Sequence, residues 1–186
     1  MADRYRKLNV WLRETCGEKV YKVGLYGGFT CPNRDGTLGR GGCVFCNPAS
    51  SEPYAFDPDA PLADQWARGV RHLGERHGAR RFIAYFQDYT TTYAAPDRLE
   101  TLWRQALSLP DCVGLALCTR PDCLDDPVLD RLEAVALDAQ AEDALLWVEV
   151  GVQTIHDRTL RVLRRGHTQA QTEAAVAALS ARGLCT

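Results

Sequence analysis

Apolar residues along this chain change their spacing in a regular rhythm. Leu62, Trp66, Val70 and Leu73 recur at helical intervals, with Asp59 and Pro61 placed to start that helix and Gly78 to end it. Leu99, Leu102, Trp103, Ala106 and Leu107 form a second stripe within Pro96–Leu109, and Pro110 stops it. A third stripe, Val128, Leu129, Leu132 and Val135, follows the capping pair Asp126 and Pro127, and Ala139–Ala144 reads as an acidic, alanine-rich turn. Between the stripes lie short, mostly apolar runs: Val20–Leu25, Arg81–Gln87, Val113–Cys118 and Leu145–Val150. Runs of this kind are strands of a parallel sheet covered on both faces.

The ends follow the same logic. Tyr5, Leu8 and Leu12 predict an N-terminal helix over Met1–Gly17, with Arg4, Arg6, Lys7 and Arg13 toward solvent. After the fourth strand, His156 and Asp157 open a short helix that Gly166 closes. Thr168 and Gln171 then have capping-box spacing for a last helix to about Ala181, stopped at Gly183. Strand then helix, repeated four times, makes an α/β domain with a parallel sheet and right-handed crossovers. A fifth strand is announced at Leu184-Cys185-Thr186.

Composition narrows the class. A chain of 186 residues suits one domain with a substantial core. A net charge of −2 with 25% charged residues gives no strong electrostatic case for nucleic acid, although a local basic patch can still bind phosphates. No apolar run is long enough for a membrane helix, so no membrane partner is expected and a cytoplasmic location is the default. Eight cysteines are then reduced, and serve as ligands or buried thiols rather than bridges.

The chemistry concentrates after the first strand, in the segment Gly27–Asn47. It carries Cys31, Cys43 and Cys46 among six glycines, with eleven residues between the first two cysteines and two between the last pair. A two-residue gap lets two thiolates face one metal centre. Pro32 and Asn33-Arg34-Asp35-Gly36 supply the turn that folds Cys31 back toward that pair. Three thiolates fit a cubane with one iron left open. A zinc site completed by His72, His77, His156 or His167 is the lesser alternative, and no ligand pair stands at zinc-finger spacing.

This loop resembles the cluster loop of radical S-adenosylmethionine (SAM) enzymes. In detail it is similar to the YhcC/YtqA-type subfamily, related to the catalytic subunit of Elongator, which shares the long insertion between the first two cysteines. Ala84-Tyr85-Phe86-Gln87, Thr119-Arg120-Pro121-Asp122-Cys123, Glu149-Val150-Gly151-Val152-Gln153-Thr154 and Arg165-Gly166-His167 match further segments of that subfamily in order. The resemblance implies a partial (β/α)6 radical SAM barrel, here truncated after about four β/α units. Residues 1–186 would be an incomplete core domain lacking its last strands and C-terminal extension, and inactive alone.

The resemblance also implies a [4Fe-4S] cluster on Cys31, Cys43 and Cys46, with SAM on the fourth iron. It places Phe45 beside the adenine and the Tyr85–Gln87 strand end at the methionine amino group. It points Glu149 and Gln153 at SAM or substrate. Arg120 pairs with the carboxylate of SAM or simply with Asp122, and Glu149 with a ligand or with an arginine such as Arg120. Where relatives commonly have glycine, Cys118 narrows the space. The implied activity is reductive cleavage of SAM to a 5′-deoxyadenosyl radical, served by an electron donor such as flavodoxin or ferredoxin. The link to Elongator extends this to a tRNA base, a wobble uridine. The rival from another class is a non-catalytic zinc-binding module recognising RNA or protein.

Overall fold

The computed structural model of the chain describes residues 5–47 and 60–184. Four strands, β1 (Val20–Leu25), β2 (Arg81–Phe86), β3 (Cys112–Thr119) and β4 (Leu145–Val150), form one parallel sheet in the order β1-β2-β3-β4. Among the described residues seven α-helices accompany them: α1 (Leu8–Cys16), α2 (Pro32–Asp35), α3 (Leu62–His77), α4 (Pro96–Leu107), α5 (Asp126–Ala141), α6 (Asp157–Val162) and α7 (Gln169–Ala181), with one 3-10 turn at Pro121–Cys123. The four strands and the helices α3, α4, α5 and α7 lie where the apolar rhythm places them.

Alternation along each strand sorts the side chains onto two unlike faces. One face sends Val23, Leu25, Phe82, Ala84, Phe86, Leu115, Leu117 and Val148 against helical residues such as Trp66, Leu99, Trp103, Leu129 and Leu132. The predicted stripes of α3, α4 and α5 are what fill this core. Trp66 and Phe82 meet edge to face at 6.0 Å, a favoured aromatic geometry. The other face presents Val20, Ile83, Val113 and Ala116, and there α1 lays Leu12 and Trp11 across the sheet, with Trp11 edge-on to Trp147.

Some boundaries differ from expectation for physical reasons. Helix α1 starts at Leu8, and Tyr5 and Leu8 are exposed, because Trp11 and Leu12 are the residues that meet the sheet. Asp125 rather than Asp126 caps α5, accepting a bond from the Val128 amide, so that Pro127 sits inside the first turn where its missing N–H costs nothing. Ala139–Ala141 continue α5 instead of forming a turn. The Thr168–Gln171 capping box of α7 is formed as predicted. Asp59, Cys185 and Thr186, assigned to a helix start and a fifth strand, lie outside the described residues.

Register sets the site. Leu25 pairs with Phe86, Phe86 with Leu117, and Thr119 with Val150, so the strands' C-terminal ends stand side by side. The loops after all four strands therefore emerge at one rim, the end where strand–helix folds collect functional groups.

Candidate functional site

The loop after β1 is held at its entry by side chains from two helices. Gln65 of α3 accepts from the Tyr26 amide at 2.8 Å, and Arg98 of α4 donates to the Gly27 carbonyl at 2.6 Å. Where the sequence predicts only a turn, Pro32–Asp35 winds one short helix with Cys31 at its N-cap, and this brings the chain back on itself. The Gly42 amide donates to Asn33 O at 2.9 Å and the Cys46 amide to Cys43 O at 2.9 Å, closing the loop around the cysteine pair. Gly42 has φ +82, and a Cβ there would stand 2.8 Å from Cys46 Sγ. No residue with a side chain fits that approach.

Cys31, Cys43 and Cys46 line one cavity of about 310 Å³ at the rim. Phe45, Gln87, Arg120, Glu149 and Gln153 line it too. Of the residues that the resemblance places at the cluster or SAM, Tyr85 alone stands behind this lining, and its hydroxyl donates to Glu149 Oε2 at 2.9 Å. Each sulfur meets a nitrogen donor: Arg34 Nη1 is 3.2 Å from Cys46, Arg165 Nη1 is 3.3 Å and Asn33 Nδ2 3.4 Å from Cys43, and Arg120 Nη1 is 3.9 Å from Cys31. Three guanidinium groups thus face three thiols. A metal centre held by these sulfurs would carry them as thiolates, with positive charge and N–H donors already turned toward them.

Arg34, Asn33 and Arg165 are the functional side chains that sequence reasoning missed. Arg34 and Asn33 read as turn residues, and Arg165 belongs to a matched segment without an assigned role. Nothing local in the sequence aims them at sulfur; only the folded loop does.

The remaining groups show which protein partners the two charged residues have. Arg120 is buried and forks onto Asp122, Nε to Oδ1 at 3.0 Å and Nη2 to Oδ2 at 2.8 Å. Glu149 pairs not with Arg120 but with Lys22 of β1, and also accepts from Trp147 Nε1 at 2.9 Å and from Tyr85. Burial pushes its carboxyl up, yet the bonds from Lys22, Trp147 and Tyr85 outweigh that and hold it below the ordinary value. Cys118 lies 2.9 Å from Tyr85 Oη and 3.4 Å from Glu149, and burial pushes its thiol up to about 11, so it stays protonated at neutral pH. Cys118 lines the cavity itself, so its thiol occupies space there.

Thr90, Thr91 and Thr92 are buried rather than a rim of surface hydroxyls; Thr91 Oγ1 donates to Cys118 O and Thr92 Oγ1 to Cys123 O. Thr91 thus ties the loop after β2 to β3 itself and Thr92 ties it to the loop after β3, while the Thr90 amide donates to Thr30 O at 3.1 Å. Tyr89 and Gln153, both on the cavity wall, adopt left-handed backbone at φ 65 and 66. Each costs about 1–2 kcal/mol, and strain of this kind collects at functional sites.

The donor set suits an iron–sulfur cubane. Three thiols open into one cavity, each beside a cationic or amide donor, and a glycine clears the space between two of them. In a cubane each thiolate holds a different iron, so the sulfurs need not converge on one point. Among the described residues, no group of three His, Cys, Asp or Glu side chains is close enough to hold a single metal ion. His77, one of the histidines weighed as a fourth ligand, is stacked on Tyr21 at 4.6 Å. No helix among the described residues is long and apolar enough to cross a membrane.

Comparisons with known proteins place the chain among relatives in sequence and fold. The family model described as "Radical SAM superfamily" matches residues 31–186. Uncharacterized protein YtqA of Bacillus subtilis is 43% identical over 164 residues, covering 88% of this chain and 49% of that protein. Protein YhcC of Escherichia coli K12 is 45% identical over 151 residues, covering 81% and 46%. The chain thus spans about half the length of these curated relatives. The solved structure of the archaeal Methanocaldococcus infernus Elp3 with an N-terminal deletion superposes with TM-score 0.55 at 20% identity, covering 89% of this chain and 36% of that one, a likeness of fold.

Proposed function

The chain belongs to the radical SAM superfamily, and from that premise we propose that its rim cavity holds a [4Fe-4S] cluster on Cys31, Cys43 and Cys46 for the reductive cleavage of SAM. The observation that carries this reading is the opening of three thiols from one loop into one cavity, each beside an N–H donor. A cluster held by Cys31, Cys43 and Cys46 would supply the one-electron reduction that cleaves the sulfonium of SAM and starts radical chemistry on the substrate.

The chain's own residues bind, orient and shield. Phe45 would lie against the adenine of SAM, and Gln87 would take its methionine amino group through its backbone carbonyl or side-chain amide. Gln153 and Glu149 face SAM or substrate from the wall, with Tyr85 and Lys22 fixing the Glu149 carboxylate. Arg120, already neutralised by Asp122, steadies Cys31 and leaves less of its charge for the carboxylate of SAM. A tRNA base, in the first instance a wobble uridine, is the substrate class, and a flavodoxin or ferredoxin the class of electron donor. A cytoplasmic setting suits both.

The test is anaerobic reconstitution of the whole protein with iron and sulfide. We expect brown protein holding about four irons per chain, cleavage of SAM under reductant, and loss of both in Cys43→Ala. Colourless protein with one zinc per chain, or a Cys43→Ala variant that still holds its cluster, overturns the reading. Comparison of modified nucleosides in tRNA from cells with and without the protein tests the substrate.

A further inference from the structure

Three arginines approach the cysteine sulfurs, and they are not equivalent. The charge of Arg120 is already offset by its fork onto Asp122. Arg34 lies over the Tyr89 ring at 4.7 Å, and its side chain reaches the solvent side of the loop. Arg165 differs from both. It is 7% exposed, and among the described residues no carboxylate stands within ion-pair distance of it. Its Nη2 donates to the Gly151 carbonyl at 2.7 Å, its Nη1 faces Cys43 Sγ at 3.3 Å, and its guanidinium lies 5.7 Å from the Phe45 ring centre. Its Nε is buried with no hydrogen-bond partner among the described residues.

A buried cation without an anion costs several kcal/mol. The fold nevertheless fixes this one in place. Arg164 before it is left-handed at φ 55, and Gly166 after it has φ +77, where a Cβ would lie 2.6 Å from Asn33 Oδ1. Asn33 Nδ2 donates to Arg164 O at 2.6 Å and to Arg165 O at 2.9 Å, and also reaches Cys43 Sγ. Val44 N donates to Leu163 O at 3.2 Å. Segment 163–166 is thereby clasped to the cysteine loop. Among the described residues, the group facing Arg165 that would carry negative charge as a metal ligand is the Cys43 sulfur.

We propose that Arg165 is the counter-charge of the Cys43 thiolate and thereby a positioning residue that raises the reduction potential of the cluster. This rests on the cluster reading above. A positive charge and an N–H···S bond favour the redox state with more negative charge on the sulfurs, which is the reduced one. Among the described residues, Cys43 has two donors against one at each of Cys31 and Cys46, which makes it the ligand where the protein has most leverage.

The test uses the whole protein, reconstituted with iron and sulfide, and reads the midpoint potential by spectroscopically monitored redox titration beside the iron count. Arg165→Gln is expected to keep its iron while its reduction equilibrium falls at least tenfold, which is 59 mV for one electron. Arg165→Lys, which keeps the charge, is expected to recover most of that loss, and Arg34→Gln to shift it less. An iron-loaded Arg165→Gln at the wild-type potential overturns the proposal, as does weakened SAM binding without a shift in potential, which assigns Arg165 to the carboxylate of SAM. If Arg165→Gln loads no iron, Arg165→Lys decides: a potential near wild type supports the counter-charge, and a tenfold fall overturns it. Wild-type protein that takes up no iron refutes the cluster reading itself, a result distinct from all of these.

Discussion

The two faces of the sheet obey different rules. Toward α3, α4, α5 and α7 the strands show Phe82, Phe86, Leu115 and Leu117, all fully buried against Trp103, Leu99 and Leu132. Toward α1 and the cavity they show Lys22, Tyr85, Cys118 and Glu149, joined in one hydrogen-bonded chain across all four strands. The first face is held by area removed from water, which is indifferent to the identity of its partner as long as the volume is filled. The second is held by matched donors and acceptors, where loss of one member strands the others. Stability sits on the helical face and chemistry on the other.

The largest effect comes from breaking the helical face. Trp103→Ala is expected to cost about 3–5 kcal/mol, because the side chain is wholly buried, and denaturant unfolding measures it. On the polar face the cost is smaller and its pattern differs. Lys22→Met is expected to cost about 1 kcal/mol, since both partners are partly exposed. In a Glu149→Gln background most of that cost should vanish, which a double-mutant cycle reads directly. Glu149 is held below its unfolded value, so its contribution is present above the ordinary carboxylate range and is lost as pH falls through the folded value. A Glu149→Gln variant should therefore lose less stability on acidification.

The smallest effect is a slope. Burial, then the neighbouring Arg165, lowers the His167 imidazole below its ordinary value, with Arg120 adding to this. The unfolded chain then binds the proton more readily, so stability is complete above about pH 6.5 and declines as pH drops below it. His167→Asn should flatten that decline in unfolding measured from pH 7 to pH 5. Unchanged slopes in both variants would erase the distinction between the faces.

What the sequence disclosed follows the same division. Helical stripes and unbroken apolar runs report burial, so the four strands and their covering helices were legible, as was the Thr168–Gln171 box. The cysteine trio was legible because spacing on one loop is a local property. Partners across the sheet were not. For Glu149 the sequence offers a ligand or an arginine such as Arg120; its partner within the protein is Lys22, because the register sets β1 and β4 side chains toward the same space while Arg120 is held by Asp122 two residues on. The donors Asn33, Arg34 and Arg165 were hidden for the same reason, since their direction depends on a short helix that turn chemistry alone did not announce.

The amide of Asn33 closes on carbonyls 131 and 132 residues further along the chain. During synthesis that closure must wait for the partner carbonyls to leave the ribosome, at about 5–20 residues per second. For on the order of ten seconds, each nascent molecule carries its three thiols on an unlatched loop. That interval is when metal delivery is easiest and when oxidants do most harm.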